Sequence, residues 1–441
     1  MNRRDFLRLM VASAAGAVVT SSLAGCVKDP VTGKRTLILM SEAEEIKLDQ
    51  AHSPHQFSAD YGPVQDSELN AYISRVGSSL AARSHRSDMP YSFRVVNAAY
   101  INAYAFPGGS IAATRGIMVE LASEAELAGL LGHEIGHVNA RHTAERATRS
   151  MLAAIAVSGT AVAAQAVGYG NYAGIVQGLG QIGSGALLAH YSRENEREAD
   201  SLGMKYMARA GQNPEGMVEL MEILMRSSRH RPSAIELMFA THPMSEERFK
   251  TAESMADSHY RSMIGRPFYR ERFMDHTVGI RRIRDAISNI QLGEREMSGK
   301  RFSSAENYLD AALRQAPDDY AGLVIMAKCQ LARKDPEAAG RYAEKAIAVY
   351  PGEAQAHNVK GMTDLMQKKF ASAYEQFSTC EKILPGNPDT GFLKGFALEG
   401  MDRKERAARE YYRYLNSVRQ GPAAKYAYQR LVEWGYIKDS R

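Results

Sequence analysis

A 34-residue period near the C-terminus constrains the fold more strongly than any other feature of this sequence. Small residues and prolines recur in one common register. Small residues at helical spacing mark places where two helices touch, and a proline closes a helix. The period therefore predicts an array of helix pairs. Its three columns are Pro317, Pro351 and Pro385; Gly293, Ala327, Gly361 and Gly395; and Ala305, Ala339, Ala373 and Ala407.

The pattern resembles tetratricopeptide repeats, which are helix pairs of 34 residues that stack into an α-solenoid. The columns themselves indicate core packing, whereas the concave surface of such arrays usually binds extended peptides or partner proteins. The last unit has Arg419 in place of the closing proline, which fits an atypical end unit. Four repeats are predicted at 286–319, 320–353, 354–387 and 388–421, with a capping helix in 422–441.

Residues 1–25 have the pattern of an export signal. Arg3 and Arg4 precede a short apolar run, and the paired arginines favour the twin-arginine route. Leu23-Ala24-Gly25-Cys26 resembles a bacterial lipobox, which predicts a lipid attached to Cys26 in the periplasm. The alternative is a plain cleavage site with a chance cysteine. Residues 26–45 are then expected to form a tether.

A metal site is indicated by His133-Glu134-Ile135-Gly136-His137. A capping box at 123–126 and the apolar spacing that follows place both histidines on one face of a helix, where they can reach one zinc ion. A bare motif of this kind also occurs by chance. The ligand interpretation gains weight from a second helix that begins at Ser192, because Glu196 and Asp200 share one of its faces while Glu198 points elsewhere.

Two histidines and one glutamate leave a fourth zinc position open for water, as hydrolytic zinc sites require. Asp200 can accept the free ring N–H of a ligating histidine and select its tautomer. Judged alone, a carboxylate-rich helix start is more often a solvated surface. Judged with His133 and His137 upstream, it predicts a zinc site.

Taken together, these motifs resemble the Ste24-type (M48) zinc metallopeptidases. The resemblance implies a mainly α fold, with a gluzincin-type domain and a small β-sheet at 46–265 and a linker helix at 266–285. It implies Glu196 as the third Zn²⁺ ligand, and Glu134 as the base that takes a proton from water and passes it to the leaving amine. The runs that carry it are 102–109, 133–142, 195–200 and 241–243.

A hairpin is predicted beside this site, with one strand at 102–106, a turn at 107–109 and a second strand at 110–114. The simplest interpretation is a packed hairpin. The resemblance implies that its free edge pairs with an extended substrate through main-chain hydrogen bonds. That edge consists of Asn102, Ala103, Tyr104, Ala105 and Phe106.

His242 lies in Thr-His-Pro, which on its own is typical of a turn. The resemblance implies that His242 can occupy the open zinc position and hold the enzyme latent; a role as an oxyanion partner is the alternative. Arg248 matches an arginine near the active site of the family, and the resemblance implies that it is a catalytic residue. His142 also matches the family pattern, and it is interpreted as packing or as a neighbour of a ligand.

No Asp, Glu, Lys or Arg occurs between Arg149 and Arg193. A transmembrane helix needs about 20 apolar residues, and polar residues and glycines interrupt this run. The sequence favours a flexible, close-packed loop that covers the catalytic face. Membrane contact by residues 151–190, as in an integral-membrane protease, is the alternative.

The combined prediction is a zinc endopeptidase of unfolded or misassembled envelope proteins, lipid-anchored in the periplasm. Its repeats would bind clients or the outer-membrane protein assembly machinery. Outer-membrane placement rests on the resemblance and on Val27, where aspartate is absent. A periplasmic chaperone or adaptor that acts through its repeats is the rival hypothesis. A dispersed net charge of +5 argues against nucleic acid, and Cys329 and Cys380 are predicted to be buried repeat residues.

Overall fold

A computed structural model of the chain describes residues 26–148, 191–230 and 232–438. The predicted signal peptide, 1–25, and the apolar segment with possible membrane contact, 151–190, lie outside the described residues. Among the residues that are described, no helix is both long enough and apolar enough to cross a membrane.

An N-terminal domain of helices and two small sheets precedes the repeats. Its strands are β1 (Cys26–Lys28), β2 (Arg35–Leu37), β3 (Ser92–Val96), β4 (Ala103–Ala105) and β5 (Ser110–Thr114). Its helices are α1 (Glu42–Ala59), α2 (Ser67–Ala81), α3 (Arg115–Met118), α4 (Glu124–Asn139), α5 (Arg193–Arg209), α6 (Glu215–His230), α7 (Pro232–Thr241) and α8 (Glu246–His259). Leucine, isoleucine, methionine and valine side chains from α2, α4, α6 and β5 share one buried core, which holds α4 inside the domain.

The segment predicted as a tether, 26–45, is folded onto this domain. Strands β1 and β2 pair as an antiparallel hairpin, and the Asp29 carboxylate closes its turn by accepting from the main chain of Thr32 at 2.6 Å. Ile38 is only 2% exposed, and α1 already begins at Glu42 after a complete capping box. Burial of an apolar side chain stabilises this segment against the domain, so the tether prediction is corrected.

Strand β4 lies at an edge of a three-stranded sheet. The strand order is β3-β5-β4, with β3 parallel and β4 antiparallel to β5. The predicted hairpin is confirmed, although its first strand is shorter than 102–106. Phe106 donates to Ser110 O at 2.8 Å and Thr114 donates to Asn102 O at 3.0 Å. Since paired residues alternate in an antiparallel ladder, the main-chain groups of Ala103 and Ala105 face away from β5.

The 34-residue period forms the predicted helix pairs. The glycines of the second column leave no space for a side chain, since a Cβ at Gly361 would lie 2.6 Å from the Phe377 ring. Cys329 and Cys380 are buried free thiols, as predicted. A helix α9 (Arg270–Arg282) precedes the array. The pairs are α10 (Arg284–Ser298) with α11 (Phe302–Gln315), α12 (Tyr320–Ala332) with α13 (Pro336–Val349), α14 (Ala354–Met366) with α15 (Phe370–Ile383), and α16 (Pro388–Gly400) with α17 (Lys404–Ser417); α18 (Pro422–Glu433) follows them.

A fourth column with the same period was not predicted from the sequence, because it is defined by backbone conformation. One residue between the two helices of each repeat has a left-handed backbone, with φ between 57° and 65°. Such a residue ends the first helix and turns the chain into the second. Its side chain is not constrained to one type, so composition alone does not reveal it. The column consists of Lys300, Lys334, Lys368 and Asp402.

The first helices of repeats 1 to 3 contact the N-terminal domain through polar groups. Tyr61 donates to Glu294 of α10 at 3.2 Å, and Ser58 donates to Glu353, which caps α14. Arg115 forms a two-pronged ion pair with Asp319, the N-cap of α12, and both side chains are 3% exposed. The repeat pattern predicts a surface of the array that binds clients or partner proteins. In the folded chain, its own N-terminal domain contacts part of that array.

Candidate metal centre

Helices α4 and α5 bring the predicted ligands together by crossing at glycines. A Cβ at Gly136 would lie 2.8 Å from Ala199 O, and one at Gly132 would lie 3.0 Å from Gly203 O. Only glycine permits so close an approach of two helix backbones. The crossing places Glu196, at the start of α5, against both histidines of α4.

The predicted capping box before α4 is only half formed. Ser123 accepts from the main chain of Glu126 at 3.1 Å. The Glu126 carboxylate accepts from the main chain of Ala122, one residue before the N-cap, at 2.5 Å. The helix start remains hydrogen bonded, and every residue of α4 is buried. His133 and His137 are therefore held on a helix that is enclosed on all sides.

Four donor atoms from His133, His137, Glu196 and His242 lie within 4.8 Å of one another. The Nε2 atoms of the first two histidines are 3.1 Å apart. Oε1 of Glu196 lies 3.3 Å from Nε2 of His137 and 3.0 Å from Nδ1 of His242. Zinc bonds of about 2.0–2.1 Å in a tetrahedron separate neighbouring donors by about 3.3 Å. The donor types and their spacing therefore fit one zinc ion.

His242 supplies the fourth donor. It follows α7, it is 4% exposed, and its Nδ1 lies 3.3 Å from Nε2 of His133. Its main chain donates to Met238 O at 2.6 Å, which keeps the residue attached to the end of α7. The structure thus places His242 where a fourth ligand belongs, so an imidazole lies at the position that hydrolytic zinc sites leave to water.

Within the described residues, the Glu134 carboxylate has no hydrogen-bond partner, and the residue is only 1% exposed. Nε2 of His242 is 3.9 Å from its Oε1. Burial raises the pKa of Glu134 above the usual carboxyl value, against the opposing effects of His242 and His133. A buried acceptor that no protein donor satisfies is unusual, and beside a zinc site it is suited to take a proton from water.

Asp200 and Arg248 hold two of the ligands in place. Asp200 lies 2.9 Å from Nδ1 of His133, which puts the ring proton on Nδ1 and leaves Nε2 free to bind metal. Arg248 donates to both oxygens of Asp200 at 2.7 Å, and its Nη1 lies 2.6 Å from Oε2 of Glu196. Burial by itself would raise the pKa of Asp200, but Arg248 and His133 outweigh it and lower that pKa.

Arg248 was predicted as a catalytic residue, and the structure places it among the carboxylates. Its guanidinium also donates to Pro243 O at 2.9 Å, next to His242. With Oε2 of Glu196 against this cation, Oε1 is the oxygen that faces the histidines. We therefore assign Arg248 to the positioning of Glu196 and of the His242 loop.

Tyr191 and Glu198 were not assigned to this site from the sequence. The Tyr191 ring stacks on the His137 ring with 3.8 Å between centroids. Glu198, which was expected to point elsewhere, lies 3.3 Å from Nε2 of His142. Arg141 has a φ of 56°, and this left-handed turn after α4 brings His142 back towards His137. The local sequence does not predict this left-handed turn, because arginine is not a residue type that favours a positive φ.

Residues 67–256 match the model of peptidase family M48, and residues 297–362 match the tetratricopeptide repeat model. The metalloprotease YcaL of Escherichia coli (strain K12) is 33% identical over 193 residues, which cover 43% of this chain and 72% of YcaL. This chain belongs to peptidase family M48. All four donor residues lie within the matched range, and a metal in this family is generally zinc.

Other M48 relatives also carry descriptive names. The putative beta-barrel assembly-enhancing protease of Vibrio cholerae serotype O1 is 30% identical over 284 residues, which cover 62% of this chain and 55% of that protein. The beta-barrel assembly-enhancing protease of Escherichia coli (strain K12) is 28% identical over 198 residues, 44% of this chain and 40% of the relative. This M48 chain therefore aligns with about half the length of these two relatives.

Proposed function

We propose that this protein is a zinc-dependent endopeptidase that hydrolyses peptide bonds of unfolded or misassembled outer-membrane proteins. The observation that carries the proposal is the buried donor cluster of His133, His137, Glu196 and His242 beside the unpartnered carboxylate of Glu134. Bound to His133, His137 and Glu196, with His242 displaced by water, zinc would act as a Lewis acid and would acidify that water enough for hydrolysis near neutral pH. Membership of family M48 supports the same activity.

The protein's own residues transfer the proton and hold the ligands in position. Glu134 accepts a proton from the attacking water and returns it to the leaving amine. Asp200 keeps His133 in the tautomer that exposes Nε2, and Arg248 holds both Asp200 and Glu196. Since these groups are at most 6% exposed, their mutual attractions are less screened by water than surface pairs are. The ligands are therefore ordered before a substrate arrives.

Substrate recognition is assigned to β4. The main-chain groups of Ala103 and Ala105 face away from β5, and β4 contacts α4, the helix that carries the histidines. Ala103 is fully buried and Ala105 is half-buried, so an extended peptide would add to this edge only after the residues that cover it move aside. Its main-chain hydrogen bonds would then be independent of side-chain identity. A folded protein keeps most of its main-chain groups paired, so it offers far fewer segments that can add to this edge. This geometry supports unfolded or misassembled chains as substrates.

The proposed setting is the periplasmic face of the outer membrane. Support comes from the lipobox that ends at Cys26 and from two relatives named for beta-barrel assembly. The repeats would bind clients or the assembly machinery with the surface that the N-terminal domain does not contact. We expect a Cys26→Ser variant to leave the membrane fraction after cell lysis, whereas the parent chain stays in it. A Cys26→Ser variant that remains membrane-bound would contradict the lipid anchor.

A second candidate is a periplasmic chaperone or adaptor that acts through its repeats. His242 favours it, because its imidazole completes the donor set and leaves water no place among the four donors. Complementation separates the two hypotheses. An envelope defect that Glu134→Gln corrects as well as the parent chain does would support the chaperone, and failure of that variant would support the endopeptidase.

Zinc removal tests the proposed activity directly. We expect the chain from residue 26 onward to cleave an unfolded protein such as casein, to lose cleavage after a strong chelator, and to regain it with one zinc equivalent. A folded protein of similar size serves as the resistant control. Undiminished cleavage by the chelated, zinc-free chain would overturn the proposed mechanism.

A further inference from the structure

The two ligand histidines have partners of different chemical type. Nδ1 of His133 faces the carboxylate of Asp200 at 2.9 Å. Nδ1 of His137 faces another ring nitrogen, Nδ1 of His142, also at 2.9 Å. Metal-bound histidines usually donate their second N–H to a carboxylate, a carbonyl or water. An imidazole in the place of such an acceptor is unusual. This imidazole, His142, in turn contacts Glu198.

The tautomers in this contact follow from the geometry. Nε2 of His137 lies among the donor atoms, so it must be bare to bind metal and the ring proton must be on Nδ1. Two facing nitrogens share one proton, which makes His137 the donor and Nδ1 of His142 the acceptor. A neutral His142 then carries its proton on Nε2. That nitrogen lies 3.3 Å from Oε2 of Glu198, which can accept it.

We propose that His142 and Glu198 are positioning residues that hold His137 in its metal-binding tautomer. The chain of donors runs from His137 through His142 to Glu198 and ends at a side chain that is 35% exposed. Glu198 therefore acts on His137 only through His142. This inference rests on the proposed zinc site.

Packing around the two rings supports the assignment. His137 and His142 are each 2% exposed, so water does not replace either contact. Tyr191 stacks on the His137 ring at 3.8 Å, and its hydroxyl lies 3.2 Å from Oγ1 of Thr143, the residue after His142. The stacked Tyr191 ring restricts rotation of the His137 imidazole about its Cβ–Cγ bond. The contact with His142 then determines which nitrogen of His137 carries the proton.

Zinc affinity of the chain from residue 26 onward, measured by competition with a chelator, tests this role without any activity assay. His142→Phe, which keeps a ring but removes the acceptor, is expected to weaken zinc binding by about 10- to 100-fold. His142→Gln should recover part of that loss, because its amide oxygen can accept from Nδ1 of His137. Thermal unfolding of the zinc-free variants checks that the fold is intact.

The decisive comparison is a double-mutant cycle. Glu198→Ala is expected to weaken zinc binding in the parent chain and to have no further effect in a His142→Phe background. Glu194→Ala is the matched control, since Glu194 lies one turn earlier on α5 and forms an ion pair with Arg197 at the surface. This variant should bind zinc normally. Equal losses from Glu198→Ala in both backgrounds would overturn the relay, and so would normal binding by His142→Phe. A parent chain that binds no zinc would overturn the metal site as well.

Discussion

Replacing Glu134 by glutamine is expected to abolish peptide hydrolysis while zinc stays bound. Glutamine has nearly the same shape as glutamate, but its amide cannot take a proton from water. General acid–base catalysis contributes about 10²- to 10⁴-fold to a rate, so kcat/KM for a quenched fluorescent peptide should fall by at least a hundredfold. In the part of the chain that the structure describes, this carboxylate has no hydrogen-bond partner to lose and is not one of the four donors. Zinc content should therefore remain at one per chain.

Zinc content and cleavage must be measured on the same Glu134→Gln preparation. Glu194→Gln is the matched control, because it makes the same chemical change on an exposed residue of α5, where the side chain is 74% exposed. It should leave both quantities unchanged. If Glu134→Gln kept more than a tenth of the parent activity, another group would have to be the base. If it lost zinc, Glu134 would belong among the ligands.

Replacing His242 by alanine is expected to raise the activity. In the described structure its Nδ1 lies 3.0 Å from Oε1 of Glu196 and 3.3 Å from Nε2 of His133. The imidazole thus takes the place that hydrolytic zinc sites leave to water. A closed state that is favoured by about 1.4 kcal/mol holds roughly nine tenths of the molecules inactive. Under that balance, His242→Ala should raise kcat/KM about tenfold and weaken zinc binding.

The sign of the change at His242 separates the alternatives. A loss of about 10²- to 10³-fold, the size seen when one oxyanion donor is removed, would show that His242 instead stabilises the transition state. An unchanged rate would mean that neither role applies. His259→Ala is the control, since His259 is an exposed histidine at the end of α8, and it should behave like the parent chain.

A latent site also relates the two candidate functions. With His242 in place, the chain presents a complete donor cluster and an edge strand, but no free fourth position. Under the proposed function, such a molecule would bind an unfolded segment without cleaving it. Withdrawal of the loop after α7 would then convert a binding protein into a peptidase, and the hydrogen bonds from Arg248 to Pro243 O and from His242 to Met238 O are among those that must break.

The sequence alone determined those features whose physical cause is local. A 34-residue period specifies helix pairs because each small residue meets its neighbour within the same repeat, as Gly361 meets Phe377. Two histidines four residues apart share a helix face wherever the helix lies. The edge strand could also be predicted from the sequence, because Pro107-Gly108-Gly109 marks the turn that follows it.

Only the tertiary structure decided the features that depend on distant residues. His242 and His133 are 109 residues apart in sequence, and no spacing rule says which nitrogen of His242 meets the cluster. Ile38 folds a predicted tether onto the domain because burial outweighs the freedom of a short segment. Asp319 and Glu353 contact the N-terminal domain, since buried charges and polar groups need partners wherever the fold supplies them. The choice between an open and a closed zinc site likewise depends on how α7 packs.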